Sequence, residues 1–61
     1  MNTHFHHYDP GFKIGALFVN ITNNKLGMIV ESAINGVYKV KYMTCPNYID
    51  SCDFRDMIRP G

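Results

Sequence analysis

The chain has 61 residues, of which 46% are hydrophobic and 18% are charged, and its formal net charge is +1. This length allows one domain with a single small core, which leaves little room for the enclosed cleft that most enzymes need. The hydrophobic content excludes a disordered chain, and the small net charge supplies no overall attraction to nucleic acid or to an anionic membrane. The composition therefore favours a small folded binding module over an enzyme.

The first eleven residues show neither helical nor alternating periodicity. Asp9-Pro10-Gly11 ends them with a cluster of turn-forming residues, so residues 1–11 are predicted to form an N-terminal arm and residues 12–61 the folded domain. The arm carries histidines where a signal peptide would have a basic stretch and an apolar core, and no apolar run reaches the length of a membrane span. These features predict a soluble protein that is not exported through a signal peptide.

The apolar segments that follow the N-terminal arm predict three strands. Phe12–Ile21 is rich in aromatic and β-branched residues, which favour a strand, and the polar loop Thr22–Lys25 ends it. Leu26–Ile34 and Val37–Met43 flank Asn35-Gly36, a pair that tolerates the positive φ angles of a type I′ turn. The sequence therefore predicts a β-hairpin over residues 26–43.

Shorter elements complete the predicted sheet. Thr44–Asn47 is expected to interrupt it, because Pro46 has no N–H to donate to a neighbouring strand. Tyr48–Cys52 predicts a fourth strand, Asp53–Asp56 a single 3₁₀ turn, and Met57–Arg59 a last short strand. The whole pattern predicts an all-β fold of five strands, with a short 3₁₀ turn before the last one.

Several strand motifs resemble those of SH3-like small barrels. They are Ile14-Gly15-Ala16-Leu17-Phe18, Gly27-Met28-Ile29-Val30-Glu31, Val37-Tyr38-Lys39-Val40-Lys41-Tyr42, and Tyr48 with Cys52-Asp53-Phe54-Arg55-Asp56-Met57-Ile58. The resemblance extends to KOW-type and Tudor-like barrels and to small uncharacterised proteins of tailed bacteriophages. It implies a five-stranded SH3-like barrel preceded by the N-terminal arm. It implies no single activity, because such barrels serve many functions.

The apolar residues outnumber those that so small a barrel encloses. The expected interior consists of Leu17, Val19, Met28, Val30, Tyr38, Val40 and Tyr42. The apolar residues expected to stay partly exposed are Phe18, Ile29, Ile34, Val37 and Met43, together with Phe5 and Tyr8 of the arm. Exposed apolar area of this extent is typical of a protein interface. The predicted interface residues are Phe5, His6, Tyr8, Phe18, Ile29, Val37 and Met43.

The predicted function is that of a non-enzymatic protein-binding accessory module, which docks on another protein or on a second copy of itself. The bacteriophage resemblance implies a virion component or a host factor as partner, and a location in the virion or the host cytoplasm. The alternative is a barrel that binds nucleic acid or a ribonucleoprotein through basic and stacking aromatic side chains. Its basic candidates are Lys13, Lys39, Lys41 and Arg55. Lysines on a solvent-facing strand also protect a sheet against edge pairing, and the net charge favours that simpler interpretation.

The histidines and cysteines do not form a recognisable metal-binding or catalytic pattern. The imidazoles of His4, His6 and His7 suit transition metals, but Cys45 and Cys52 lack the two-to-four-residue spacing of a zinc knuckle. Two cysteines are also too few for the disulfide framework of a secreted mini-domain, so free thiols are expected. No nucleophile is predicted beside a base and an orienting group. We therefore expect no cofactor, no metal and no catalytic residue.

Overall fold

The computed structural model describes residues 11–60, which form five antiparallel strands and one 3₁₀ turn. The elements are β1 (Leu17–Asn20), β2 (Lys25–Ile34), β3 (Val37–Tyr42), β4 (Cys45–Asp53), the 3₁₀ turn (Phe54–Asp56) and β5 (Met57–Ile58). The sheet order is β4-β3-β2-β1-β5, so the last strand pairs with the first. This confirms the predicted all-β fold of five strands with a 3₁₀ turn before the last. Within residues 11–60, no helix is long and apolar enough to cross a membrane.

Two tight turns depend on residues with a left-handed backbone. Between β2 and β3, Asn35 has a φ of 54° and Gly36 a φ of 79°, the pair of positive values that a type I′ turn requires. The ring of Phe54 covers this turn so closely that a Cβ on Gly36 would lie 2.9 Å from it. Between β1 and β2, Asn24 has a φ of 59°. The predicted hairpin around Asn35 and Gly36 is confirmed.

β1 begins at Leu17 rather than at the predicted Phe12. Gly15 lies in a turn with a φ of 91°, a conformation that favours glycine and ends the extended backbone. Phe12 is nevertheless part of the core, because its N–H donates to the hydroxyl oxygen of Tyr38 at 2.9 Å. The two rings meet edge to face at 5.6 Å between their centroids. The segment before β1 therefore contributes packing rather than a strand.

β4 begins at Cys45 and includes Pro46, so the predicted interruption over Thr44–Asn47 is wrong. The physical reason is that β4 lies at the edge of the sheet, where a proline can be accommodated because one side of the strand has no neighbour. The register between β3 and β4 shifts between Val40 and Tyr42, so this end of β4 is irregular.

One cluster of side chains fills the inner face of the sheet. Its members are Phe12, Phe18, Ile29, Tyr38, Val40, Tyr42, Cys52 and Met57. The three predicted core residues of β3 are among them. Phe18 and Ile29, which were expected to stay partly exposed, are 0% exposed, whereas Leu17, expected inside, is exposed. The prediction of which face of β1 and β2 turns inward is therefore wrong.

Gly27 explains why Phe18 turns inward. The two residues are directly opposite in the β1–β2 register, and a Cβ on Gly27 would lie 2.6 Å from the Phe18 ring and 2.9 Å from the Lys41 carbonyl oxygen. The ring thus occupies the space that the missing side chain leaves. Because side chains alternate along a strand, this placement directs Leu17 and Val19 to the outer face.

Candidate protein-binding surface

The predicted interface residues that fall within residues 11–60 do not form one surface. Three others lie outside the described residues: Phe5, His6 and Tyr8. Phe18 and Ile29 are fully buried, so neither offers an outer surface to a partner. Val37 and Met43 are exposed as predicted, but Val37 begins β3 and Met43 follows its last residue. Among the described candidates, only Val37 and Met43 are therefore available to a partner.

A continuous apolar surface lies on the outer face of β5, β1 and β2. Val19 pairs with Leu26 on one side and with Ile58 on the other, and Leu17 pairs with Met28. Directly paired residues of antiparallel strands share a face, so these side chains form two adjacent rows. We define the outer apolar patch as Leu17, Val19, Leu26, Met28, Met43 and Ile58.

Met43 extends the first row beyond β3. Its N–H donates to the carbonyl oxygen of Leu26 at 3.0 Å, which continues the β2–β3 ladder by one step. The members that are 40% to 47% exposed are Leu17, Leu26, Met43 and Ile58. The other two members of the patch are half-buried between them. The patch itself contains no charged residue, and Lys41, opposite Met28, lies at its border.

Sequence reasoning missed most of this surface. It assigned Leu17, Val19 and Met28 to the interior and did not select Leu26 or Ile58. Both faces of β1 and of the first half of β2 are apolar, so alternation alone cannot distinguish them. The usable signal was the glycine at position 27, because a glycine inside a strand marks a close approach of another group. Recognising Phe18 as that group requires the register as well.

The outer face becomes polar toward β4. Glu31, Lys39 and Ser51 form a row across β2, β3 and β4, and Lys39 Nζ donates to Ser51 Oγ at 3.2 Å. Asp53 follows on β4, opposite Val37. We call Glu31, Lys39, Ser51 and Asp53 the polar region of the outer face. Within this region, the side chains of Lys39 and Ser51 are hydrogen-bonded to each other across the two strands.

Asp53 is held by Arg55 through hydrogen bonds from both the backbone and the side chain. Arg55 donates from its backbone N–H to Oδ1 at 2.9 Å, from Nε to Oδ1 at 3.1 Å, and from a terminal guanidinium nitrogen to Oδ2 at 3.0 Å. The backbone bond caps the 3₁₀ turn. These hydrogen bonds lower the pKa of Asp53 to about 2 and raise the pKa of Arg55. The pair neutralises itself at the surface.

The predicted basic residues lie on different elements. Arg55 is paired with Asp53, and Lys39 is hydrogen-bonded across to β4. Lys13 lies in the segment before β1, and Lys41 borders the outer apolar patch. Of the four candidates for nucleic-acid binding, only Lys39 and Lys41 share one face of one strand. This arrangement does not build a continuous cationic groove from the four candidates.

A buried asparagine holds the core together beneath the patch. Asn20 Nδ2 donates to the Tyr42 hydroxyl oxygen at 2.8 Å and to the Cys52 sulfur at 3.4 Å. Its Oδ1 accepts from the Thr22 N–H at 2.8 Å and from the Thr22 hydroxyl at 2.6 Å. The amide thus makes the four hydrogen bonds that an asparagine can make. Burial raises the pKa of both Tyr42 and Cys52, so both stay neutral at neutral pH.

The cysteines and histidines are the remaining candidates for chemistry. Cys45 is exposed and Cys52 is buried, and both are free thiols. No cluster of three metal-ligating side chains occurs among residues 11–60. The metal hypothesis concerned the following residues of the arm, which lie outside that range: His4, His6 and His7.

The chain has no significant match among protein-family models, curated proteins or solved structures. The resemblance of its strand motifs to SH3-like barrels and to phage proteins therefore stays a prediction. The support for a function comes from the geometry of residues 11–60.

Proposed function

We propose that the chain is a non-enzymatic protein-binding module of the SH3-like barrel class, which docks through the outer apolar patch. The observation that carries the proposal is a continuous surface of six apolar side chains, four of them at least 40% exposed. The largest contiguous apolar patch on the surface of a small protein is often its functional contact site. The patch lies on paired strands, so little ordering is needed before a partner binds.

The described side chains support a binding role over a catalytic one. Nucleophilic catalysis needs a thiol or hydroxyl beside a base. The thiol of Cys52 is buried and hydrogen-bonded to Asn20, and its raised pKa disfavours the thiolate. Cys45 is exposed at the start of an edge strand, and residues 11–60 contain no histidine to act as its base.

The proposed partner is a virion component or a host factor, with the chain acting as a small bacteriophage accessory protein. The support for this choice is the similarity of the strand motifs to small proteins of tailed bacteriophages. The outer apolar patch also indicates which kind of partner surface would bind. Because the patch consists only of apolar side chains, the partner must offer an apolar area rather than a strongly charged one.

A retention experiment tests the proposal. The immobilised full chain is exposed to host and virion extracts, and retained proteins are identified by mass spectrometry and tested again in purified form. We expect binding that persists at about 0.5 M salt, because apolar burial does not depend on counterion release. Leu26→Lys, at the centre of the patch, should abolish it. Ser51→Lys, in the polar region of the outer face, adds the same charge and should leave it intact.

Two results would overturn the proposal. Binding that falls steeply with salt and involves nucleic acid would favour the alternative function, a nucleic-acid or ribonucleoprotein-binding barrel. Binding that Leu26→Lys and Ser51→Lys weaken equally would show that the patch is not the docking surface. Circular dichroism of both variants is the control for folding.

A further inference from the structure

The turn between β2 and β3 contains the one asparagine of the chain that is followed by a glycine. Asn35 is exposed, and Gly36 has no side chain to hinder its backbone nitrogen. In such a pair, that nitrogen can attack the side-chain carbonyl carbon of the asparagine. The residue pair that suits a type I′ turn is therefore also the pair in which an amide side chain reacts most readily with the backbone.

The reaction is deamidation, and its overall balance is that of a hydrolysis. The Gly36 nitrogen forms a bond to Asn35 Cγ, the bond from Cγ to Nδ2 breaks, and ammonia leaves with the proton that the Gly36 nitrogen loses. Water then opens the resulting five-membered succinimide ring at either of its two carbonyl carbons. One product is aspartate. The other is isoaspartate, in which the backbone continues through the former side chain.

The folded turn holds the two reacting atoms apart. Asn35 has a φ of 54°, and the first central residue of a type I′ turn has a ψ of about +30°. This ψ places the Gly36 nitrogen on the opposite side of the Cα–C bond from the Asn35 side chain, so ring closure needs a large rotation about that bond. The rotation displaces Gly36, whose carbonyl oxygen accepts from the Phe54 N–H at 2.9 Å and which lies beneath the Phe54 ring.

This end of the hairpin is held by little buried apolar surface. Ile34 and Val37, which pair directly beside the turn, are 74% and 37% exposed. Phe54 is half-buried, and its two contacts with Gly36 are those that the rotation must release. Segments with few buried contacts open locally, without unfolding of the whole domain. Local opening of this turn is therefore the step that makes Asn35 reactive.

We propose that Asn35 is a site of hydrolytic modification whose rate is set by the opening of the β2–β3 turn beneath Phe54, with water as the co-reactant. The aspartate product keeps the turn, since Asp-Gly also supplies the required φ angles. The isoaspartate product adds one methylene to the backbone, so the connection between Ile34 and Val37 no longer fits a two-residue turn. Both products replace an exposed amide by a carboxylate, and isoaspartate also loosens this end of the hairpin.

Prolonged incubation of the full chain in mildly alkaline buffer, both folded and in urea, tests the proposal. Mass spectrometry of proteolytic peptides measures deamidation, and labelling by an isoaspartyl methyltransferase identifies isoaspartate. Asn24 is the matched internal control, because it is exposed and has a φ of 59° but is followed by Lys25, whose side chain hinders the attack. We expect Asn35 to deamidate faster than Asn24, and about tenfold or more faster in urea than in the folded chain.

Two variants test whether Phe54 controls the opening. Phe54→Ala removes the ring and keeps the backbone N–H, and it should raise the rate at Asn35 in the folded chain by about threefold or more. Leu17→Ala, which shortens an exposed side chain on β1, should leave that rate unchanged. Circular dichroism shows whether the variants fold. The comparison of folded and urea-unfolded protein uses the chain without substitutions, so it decides the question even if Phe54→Ala does not fold.

Three results would overturn the inference. They are equal rates at Asn35 in the folded and urea-unfolded chain, an Asn35 amide that outlasts that of Asn24 in the folded chain, and a folded Phe54→Ala that reacts no faster than Leu17→Ala. Slow deamidation in the folded chain that accelerates both in urea and in Phe54→Ala supports it. None of these measurements depends on binding through the outer apolar patch, so they leave the proposed function to its own test.

Discussion

The inner and outer faces of β1 and β2 consist of similar apolar residues but have different physical roles. Phe18 and Ile29 on the inner face are fully enclosed, whereas Leu17 on the outer face is exposed. The inner face also holds Asn20, whose hydrogen bonds reach β3 and β4. Hydrophobicity alone therefore does not identify the core of this sheet. The two faces differ because side chains on the inner face are enclosed by residues of the other strands, whereas side chains on the outer face reach solvent. Substitutions on each face test this difference.

The largest expected difference lies between two neighbouring residues of β1. Phe18→Ala should lower the free energy of unfolding by about 3 to 5 kcal/mol, because it leaves a cavity in the core. Leu17→Ala should cost about 1 kcal/mol or less, since its side chain is half in solvent. A chain of this size has about 3 to 9 kcal/mol in total, so Phe18→Ala should be largely unfolded. Urea denaturation followed by circular dichroism measures both, and equal losses would contradict the assignment of the two faces.

The buried amide should be the next most sensitive position. Asn20→Ala leaves the Tyr42 hydroxyl and the Cys52 thiol without their shared partner, and we expect a loss of about 3 kcal/mol. Thr22→Ala is the matched control, because it removes one hydroxyl donor and keeps the backbone hydrogen bond to Asn20. Its cost should be about 1 kcal/mol. A smaller loss for Asn20→Ala than for Thr22→Ala would show that the inner face does not depend on this amide.

The close contact between Gly27 and Phe18 gives a third test. Gly27→Ala places a Cβ within 2.7 Å of the ring and should cost about 2 kcal/mol through overpacking. The same substitution in a Phe18→Leu background should cost less, because the smaller side chain leaves room. The coupling between the two sites is read from the four free energies of unfolding in a double-mutant cycle. Additive losses would mean that the ring does not lie over Gly27.

The smallest expected effect concerns Asp53 in the polar region of the outer face. Its pKa is about 2 in the folded chain, against an ordinary value of 3.8. As pH falls, the unfolded chain therefore takes up this proton first, so the stabilisation from the Arg55 pair is present above about pH 4 and disappears toward pH 2. Asp53→Asn removes that titration. The difference in thermal midpoint between the two proteins should shrink over this interval, and a constant difference would contradict the pairing.

Local signals account for the parts of the fold that the sequence predicts well. The turn at Asn35 and Gly36 needs two positive φ angles, and few residue pairs other than Asn-Gly supply them readily. The orientation of β3 was predictable because Lys39 and Lys41 mark its solvent face between buried residues. In both cases a residue type with a strong physical preference stands at the position that decides the structure.

Long-range contacts decide the parts that the sequence did not predict. β1 carries no charged residue to mark its outer face, and its orientation follows from the pairing of Phe18 with Gly27. Pro46 was expected to end a strand. β4 nevertheless includes Pro46, because β4 is an edge strand and has no neighbour on one side. Strand order and register are properties of the assembled sheet. The outer apolar patch depends on both, so it could not be identified from local patterns.

Because one of the two thiols is exposed and the other is buried, thiol labelling can report the opening of the sheet. A thiol reagent added to the folded protein reaches Cys45, whereas Cys52, enclosed beside Asn20, reacts only when the sheet opens. The labelling rate of Cys52 thus measures the free energy of that opening without an engineered probe. A fluorophore attached to Cys45 would leave the core intact. The sequence without substitutions therefore provides both a position for a label and, in Cys52, a probe of the rate at which the sheet opens.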